Sequence, residues 1–232
     1  MKTKTLNIII PIYIVLQSIC FIFAQHPSSP IDIIFCYCSV ILAFLITFIF
    51  INKKITFIFS ILALFFTVIA DYFLIIVDDY YTFAMVIFFL AQLSYAIRIY
   101  FEFDNKKIKL IYIIVRLTSL ILAILLPLII LKDLVDFLII ISAMYYITLI
   151  LSAIFSFILI KKNKIYLILS IGLLLFVCCD LFVALYNIES YISISRESFL
   201  YKVIYFDLNL SWIFYIPSQT LLGISLLKTY NK

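Results

Sequence analysis

Long apolar stretches follow one another along this chain with only short polar breaks, covering roughly residues 6–24, 31–51, 55–77, 81–101, 108–130, 134–160, 165–187 and 204–227. Each is about 18 residues or longer, enough for a helix to cross the hydrocarbon core of a bilayer. In lipid a helix is the favoured solution because it satisfies its own backbone N–H and C=O groups. The composition points the same way: 67% of residues are hydrophobic, 12% are charged, and the 232 positions include only two glycines. The sequence therefore predicts an all-α membrane protein, an eight-transmembrane-helix bundle in which residues 1–232 form a single polytopic domain.

Orientation follows from lysine and arginine, which are retained in cytoplasmic loops during insertion. With the N terminus inside, the inner side holds Lys2, Lys4, Lys53, Lys54, Arg98 and the clusters Lys106–Lys109, Lys161–Lys164 and Lys228–Lys232. The outer side keeps Lys132, Arg196 and Lys202, along with Asp32, Asp78, Asp79, Asp133, Asp136, Glu189, Glu197 and Asp207. An odd number of crossings scrambles this sorting, so both termini are expected in the cytoplasm. MKTKT followed by an apolar run also resembles a signal peptide. However, Ile22 and Phe23 stand before Ala24, where cleavage requires small residues, so a retained first helix is expected.

Several function classes are disfavoured on residue type alone. The net charge of +5 comes from short inner-loop clusters, with no module for reading nucleic acid. Cys20, Cys36, Cys38, Cys178 and Cys179 lie in apolar runs without metal-ligand spacing and are expected as buried hydrophobes, Cys178 and Cys179 off the helix face of Asp180. The single histidine, His26, belongs to the first outer loop and cannot supply a usual catalytic zinc site. Serines are plentiful but lack the GxSxG elbow, and Gly172 and Gly223 alone cannot build a phosphate loop. Neither a metal nor a cofactor is expected.

What remains are polar groups at membrane depth: Asp71, Gln92, Tyr95, Arg116, Asp180, Tyr215 and Gln219. Ionisable residues at such positions are costly in lipid and usually functional. Counting from Lys54 and Lys164 at about 1.5 Å per residue, Asp71 and Asp180 both lie roughly 24–26 Å up their helices. That is about 4–6 Å below the outer surface of a core roughly 30 Å thick. Gln92 and Gln219 lie at or past the middle of the helices that follow. An aspartate helix followed by a glutamine helix thus occurs twice, which suggests a parallel four-plus-four duplication. The glutamines equally suit hydrogen bonding between helices. Gln92, Tyr95 and Arg98 share one helix face, and Arg98 is expected to snorkel to lipid phosphates. For Arg116, snorkelling and pairing with an aspartate both remain open.

The segment ADYFLIIVDDYYTFAMVIFFLAQLSYAIRIY resembles the "GD-L-L … F-x-x-G-x-x-x-F-x-x-x-H-x-x-Y" stretch of the YhhN family, the lysoplasmalogenase-like membrane proteins. SIGLLLFVCCDLFVAL resembles that family's "G-x-x-x-F-x-x-S-D" element, and LSWIFYIPSQTLL its closing "Y-x-x-x-Q-x-L" helix. The matched positions are Asp71, Phe88, Tyr95, Gly172, Phe176, Asp180, Tyr215 and Gln219. Ala70, Ala84 and Cys179 replace two family glycines and a serine, and the family histidine is Gln92 here. The resemblance implies hydrolysis of the vinyl ether bond of lysoplasmalogens to a fatty aldehyde and a glycerophospho-alcohol, in a bacterial cell membrane.

Independently of the resemblance, two membrane-buried carboxyl groups suit that chemistry. An enol ether hydrolyses when an acid protonates its outer vinyl carbon and water attacks the resulting oxocarbenium-like cation. The demand resembles that of a glycosidase, one proton donor and one anion. Desolvation favours the protonated form of a carboxyl group, which makes it a usable acid. Asp71 and Asp180 are therefore the candidate catalytic pair, with Gln92, Tyr95, Tyr215 and Gln219 as candidates for orienting water or binding the glycerol hydroxyl. The expected partners are a lysophospholipid or ether-lipid substrate, reaching the site from the outer leaflet, and membrane lipids. The segment IESYISISRESFLYKV is expected either to lie on the membrane surface over the site or to form an extended loop. The competing reading is a transporter or lipid-binding protein without chemistry, since buried Asp and Gln in a repeat also suit a proton-coupled carrier.

Overall fold

The computed structural model describes residues 2–25, 30–49, 54–132, 135–187, 198, 201 and 210–230. His26 and nearly all of the segment 188–203 lie outside the described residues, as do residues 204–209 at the expected start of the last helix. The helices are α1 (Lys2–Ala24), α2 (Pro30–Ile49), α3 (Ile55–Asp71), α4 (Tyr81–Glu102), α5 (Lys106–Leu131), α6 (Phe137–Leu159), α7 (Tyr166–Asn187) and α8 (Leu210–Tyr230). Local chemistry sets several starts. Pro30 opens α2, where its missing N–H costs nothing. The Asn105 side chain accepts from the Lys107 N–H at 2.8 Å, and Asp136 accepts from the Ile139 N–H at 2.7 Å, capping α5 and α6.

Seven of these helices among the described residues are long and apolar enough to cross a membrane, and the apolar stretch Leu210–Leu226 of α8 is shorter. Their outward surfaces carry large exposed side chains such as Ile8, Ile129 and Ile130. The interior encloses Gln17, Ser39, Thr67, Gln92, Ser152 and Gln219. This apolar-out, polar-in arrangement is the reverse of a water-soluble bundle and identifies a multi-pass integral membrane protein.

Helices α3 with α4 and α7 with α8 make the most extensive pairings, and α6 bridges them by packing on both α4 and α7. Helices α1 and α2 close the other side against α8, whereas α5 is peripheral and leans on α6. A polar knot ties α1, α2 and α8 together. Gln17 Nε2 donates to the Ser39 carbonyl at 2.9 Å, and Ser39 Oγ donates back to Gln17 Oε1 at 2.5 Å. Tyr13 Oη reaches the Gln219 carbonyl at 3.3 Å. Gly223 makes that approach possible, because a Cβ there would stand 2.7 Å from the Tyr13 hydroxyl oxygen.

Arg98 and Arg116 both depart from expectation. Arg98 does not snorkel: it is 2% exposed, and its Nη1 donates to Ser225 Oγ at 3.4 Å, so α4 uses it to hold α8. Arg116 does not snorkel, and among the described residues it pairs with no aspartate. Its Nη2 donates to Ser152 Oγ at 2.9 Å and its Nη1 to the Thr148 carbonyl at 3.3 Å, while the guanidinium lies 4.5 Å from the centre of the Tyr112 ring. A polar face on α6 and a π-face on α5 thus supply what a carboxylate was expected to supply.

Gly223→Ala is expected to destabilise the folded protein by about 1 kcal/mol, the steric cost of overpacking outweighing the gain in helix propensity. Adding Tyr13→Phe, which removes the atom struck, should recover part of the loss in thermal unfolding of the purified protein.

Candidate functional site

Asp71 is the last α-helical residue of α3, and the chain then widens into a π-helix over Tyr72–Val77. Such π segments change which residues face inward and are frequent at functional sites. The π-helix ends at Asp78 (φ 52°), and Tyr80 (φ 58°) follows, two left-handed residues without glycine that turn the chain into α4. Asp71 continues the buried face of α3 formed by Ser60, Leu64 and Thr67, while Ile76 and Val77, in the π-helix beyond it, lie at the surface.

The Asp71 carboxylate, 2% exposed, accepts a short hydrogen bond from the Tyr215 hydroxyl of α8. Asp180, on α7, is only partly buried and accepts a short hydrogen bond from the Tyr145 hydroxyl of α6. Each acid is therefore partnered by one phenol, donated by a different helix. Among the described residues neither forms an ion pair, those present being made by Lys162 with Asp104 and Glu102.

The two pairs share one neighbourhood. The Tyr215 ring lies 5.5 Å from Phe176, Phe176 6.1 Å from Phe88, and Phe88 5.5 Å from Tyr145, measured between ring centres. This aromatic chain links one Tyr–Asp pair to the other across α8, α7, α4 and α6. Asp71 interacts electrostatically with Asp180, and Tyr145 with both carboxyl groups. At the same end of the bundle a surface depression of about 600 Å³ is lined by Asp79, Tyr80, Tyr81, Thr82, Phe83, Val86 and Leu138.

Of the residues singled out from sequence, Tyr215 meets Asp71 directly. Gln92, Gln219 and Tyr95 do not bond to either carboxylate. They are 0%, 0% and 1% exposed, and their side-chain polar atoms have no hydrogen-bond partner among the described residues. Tyr145 was missed in the sequence. It begins a buried polar face of α6, followed by Thr148, Ser152 and Ser156, whose helical spacing is the signal that would have found it.

The cysteines are buried or partly buried, as their apolar surroundings predict. Cys179 is 3% exposed, and Cys36 of α2 lies fully buried. Among the described residues, no three His, Cys, Asp or Glu side chains converge as a metal would require.

The model of the YhhN family matches residues 31–222, most of the chain and every element of the site. The chain belongs to the YhhN family. A search of curated proteins finds no match, and a search of solved structures finds none. For this YhhN protein the geometry gives the motif phenylalanines a shared place, since Phe88 and Phe176 meet edge to face beneath the acids.

Removing either phenol leaves a carboxyl group short of a partner at a mostly desolvated site. Tyr215→Phe is expected to cost about 1–3 kcal/mol of stability and Tyr145→Phe less, because Asp180 keeps an exposed side. In thermal unfolding, Asp71→Leu combined with Tyr215→Phe should be less damaging than the two single losses added together.

Proposed function

We propose that this YhhN protein is an integral membrane hydrolase that cleaves the vinyl ether bond of lysoplasmalogen-type lysophospholipids by aspartate-based acid catalysis. The observation that carries the reading is the pair of membrane-buried carboxyl groups, each held by a tyrosine and free of any cation among the described residues. A carboxyl group balanced by lysine or arginine is fixed as an anion. One that meets only a phenol and its twin remains able to carry a proton.

In the proposed reaction one aspartic acid donates its proton to the outer vinyl carbon, and the other carboxylate stabilises the oxocarbenium-like cation that forms. Water adds to the carbon bearing the ether oxygen and returns a proton to the first carboxylate. The resulting hemiacetal breaks into a fatty aldehyde and the glycerophospho-alcohol, so one water is consumed and both aspartates are restored. Tyr215 and Tyr145 orient the carboxyl groups, while Gln92, Gln219 and Tyr95 bind water or polar substrate groups. Asp180, the more exposed acid, meets the lipid first.

The reading takes residues 1–232 as one membrane domain with eight crossings and both termini in the cytoplasm, which puts the acids in the outer half of the membrane. The substrate then enters from the outer leaflet, and the depression at the α3–α4 turn receives its polar head. A four-plus-four repeat is supported by the packing. Pairs α1·α2, α2·α3, α3·α4 and α4·α6 have counterparts four helices on in α5·α6, α6·α7, α7·α8 and α8·α2.

Purified protein is expected to release aldehyde from a vinyl ether lysolipid in detergent, and Asp71→Asn and Asp180→Asn should each lower turnover by at least about 100-fold. Wild-type protein that releases none would remove the hydrolase reading, and unchanged turnover in either variant would remove that residue from the mechanism. For the topology, cytoplasmic reporters fused to the N and C termini should both be active, and a periplasmic reporter at either end should be silent.

A further inference from the structure

Two fixed levels align α4 with α8. At one, Arg98 Nη1 reaches Ser225 Oγ at 3.4 Å. At the other, Phe88 and Tyr215 both pack on Phe176, and each lies ten residues upstream of its helix's partner in the first level. The two helices therefore run parallel and in register. Between these levels, six residues before Arg98 and six before Ser225, stand Gln92 and Gln219, about 9 Å from the Arg98–Ser225 contact.

Tyr95 is one turn beyond Gln92 on the same side of α4. Tyr13 of α1 bonds to the Gln219 carbonyl and its hydroxyl lies within electrostatic range of the Tyr95 hydroxyl, so Tyr95 borders the same region. Five side-chain polar atoms, Nε2 and Oε1 of both glutamines and the Tyr95 hydroxyl oxygen, are buried there without a hydrogen-bond partner among the described residues. Their residues are at most 1% exposed. Two complete amides and a phenol left dry would be expensive, and three or more convergent polar groups are what a buried water needs.

We propose that Gln92, Gln219 and Tyr95 hold a cluster of internal water beneath the Phe88–Phe176–Tyr215 aromatic layer, and that this cluster supplies the water consumed at the aspartates. The binding of water stands on the buried amides alone, whereas its delivery rests on the hydrolase reading. A lipid occupying the outer mouth blocks the direct path from bulk solvent while its ether bond lies at Asp71 and Asp180. A reservoir on the opposite side of the aromatic layer supplies the nucleophile without requiring the lipid to leave. Tyr215 reaches both sides, its ring in the layer and its hydroxyl on Asp71.

X-ray radiolytic footprinting of the wild-type protein in detergent tests the cluster, because radicals formed from bound water mark the side chains beside it. Tyr95 is expected to be labelled several-fold faster than Tyr112, which is also buried but whose hydroxyl donates to the Ala96 carbonyl at 2.7 Å. Tyr95 as inert as Tyr112 would overturn the proposal. In the Gln92→Leu, Gln219→Leu double variant, labelling of Tyr95 should fall to the Tyr112 rate without a rise in melting temperature. A raised melting temperature with Tyr95 labelling unchanged means the amides were dry, and also overturns it. Delivery is read separately: Gln219→Leu should lower kcat for the vinyl ether lysolipid at unchanged KM. A raised KM at unchanged kcat assigns Gln219 to the substrate and overturns delivery. Should no lysolipid be hydrolysed, the hydrolase reading fails while the labelling result still stands.

Discussion

The bundle is organised around the problem of placing two carboxyl groups in a low-dielectric interior with no cation among the described residues to neutralise them. Tyr215 and Tyr145 solve it, each giving its hydroxyl to one aspartate from a neighbouring helix. The phenols approach from different sides: Tyr215 ties α8 to the end of α3, and Tyr145 ties α6 to α7. Their rings then fill the space beneath the acids together with Phe88 and Phe176. Position and packing thus follow from one arrangement. A lysine at either partner position would fix the adjacent carboxylate as an anion and remove the acid.

The opposite end of the bundle is built on a different basis. There Lys162 contacts Asp104 at 2.9 Å and the Glu102 carbonyl at 2.7 Å, and Tyr166 donates to Glu102 at 2.5 Å. These charged contacts tie the end of α4 to the start of α7. Surface pairs of this kind add little stability individually, and here they fix how the helices meet. Between the two ends lie the buried arginines. Arg98 reaches a hydroxyl, and Arg116 a hydroxyl, a carbonyl and an aromatic ring, so neither competes for the aspartates.

The membrane-spanning character of the chain and its main polar residues are legible in the sequence because lipid enforces them. Long apolar runs must become helices, and an aspartate in such a run must have a reason to remain. Tyr215 is likewise found through its motif. Tyr145 is marked only as part of a polar face on α6 with Thr148, Ser152 and Ser156, and nothing in that spacing names Asp180 as its partner. The snorkelling expected of Arg98 fails for a related reason: distance to the membrane boundary can be counted along a helix, but the hydroxyl waiting on α8 cannot.

The sequence by itself determined that this chain is a helical membrane protein of the YhhN type with two acids buried in its apolar runs, because hydrophobic length and the cost of charge in lipid are local properties. Only the tertiary structure decided that each acid is met by a tyrosine, that the motif phenylalanines join those tyrosines into one layer, and that Gln92 and Gln219 stand level with each other below it. Those outcomes depend on which helices pack together and in what register. Interhelical packing sets both through many small contacts that no single stretch of sequence contains.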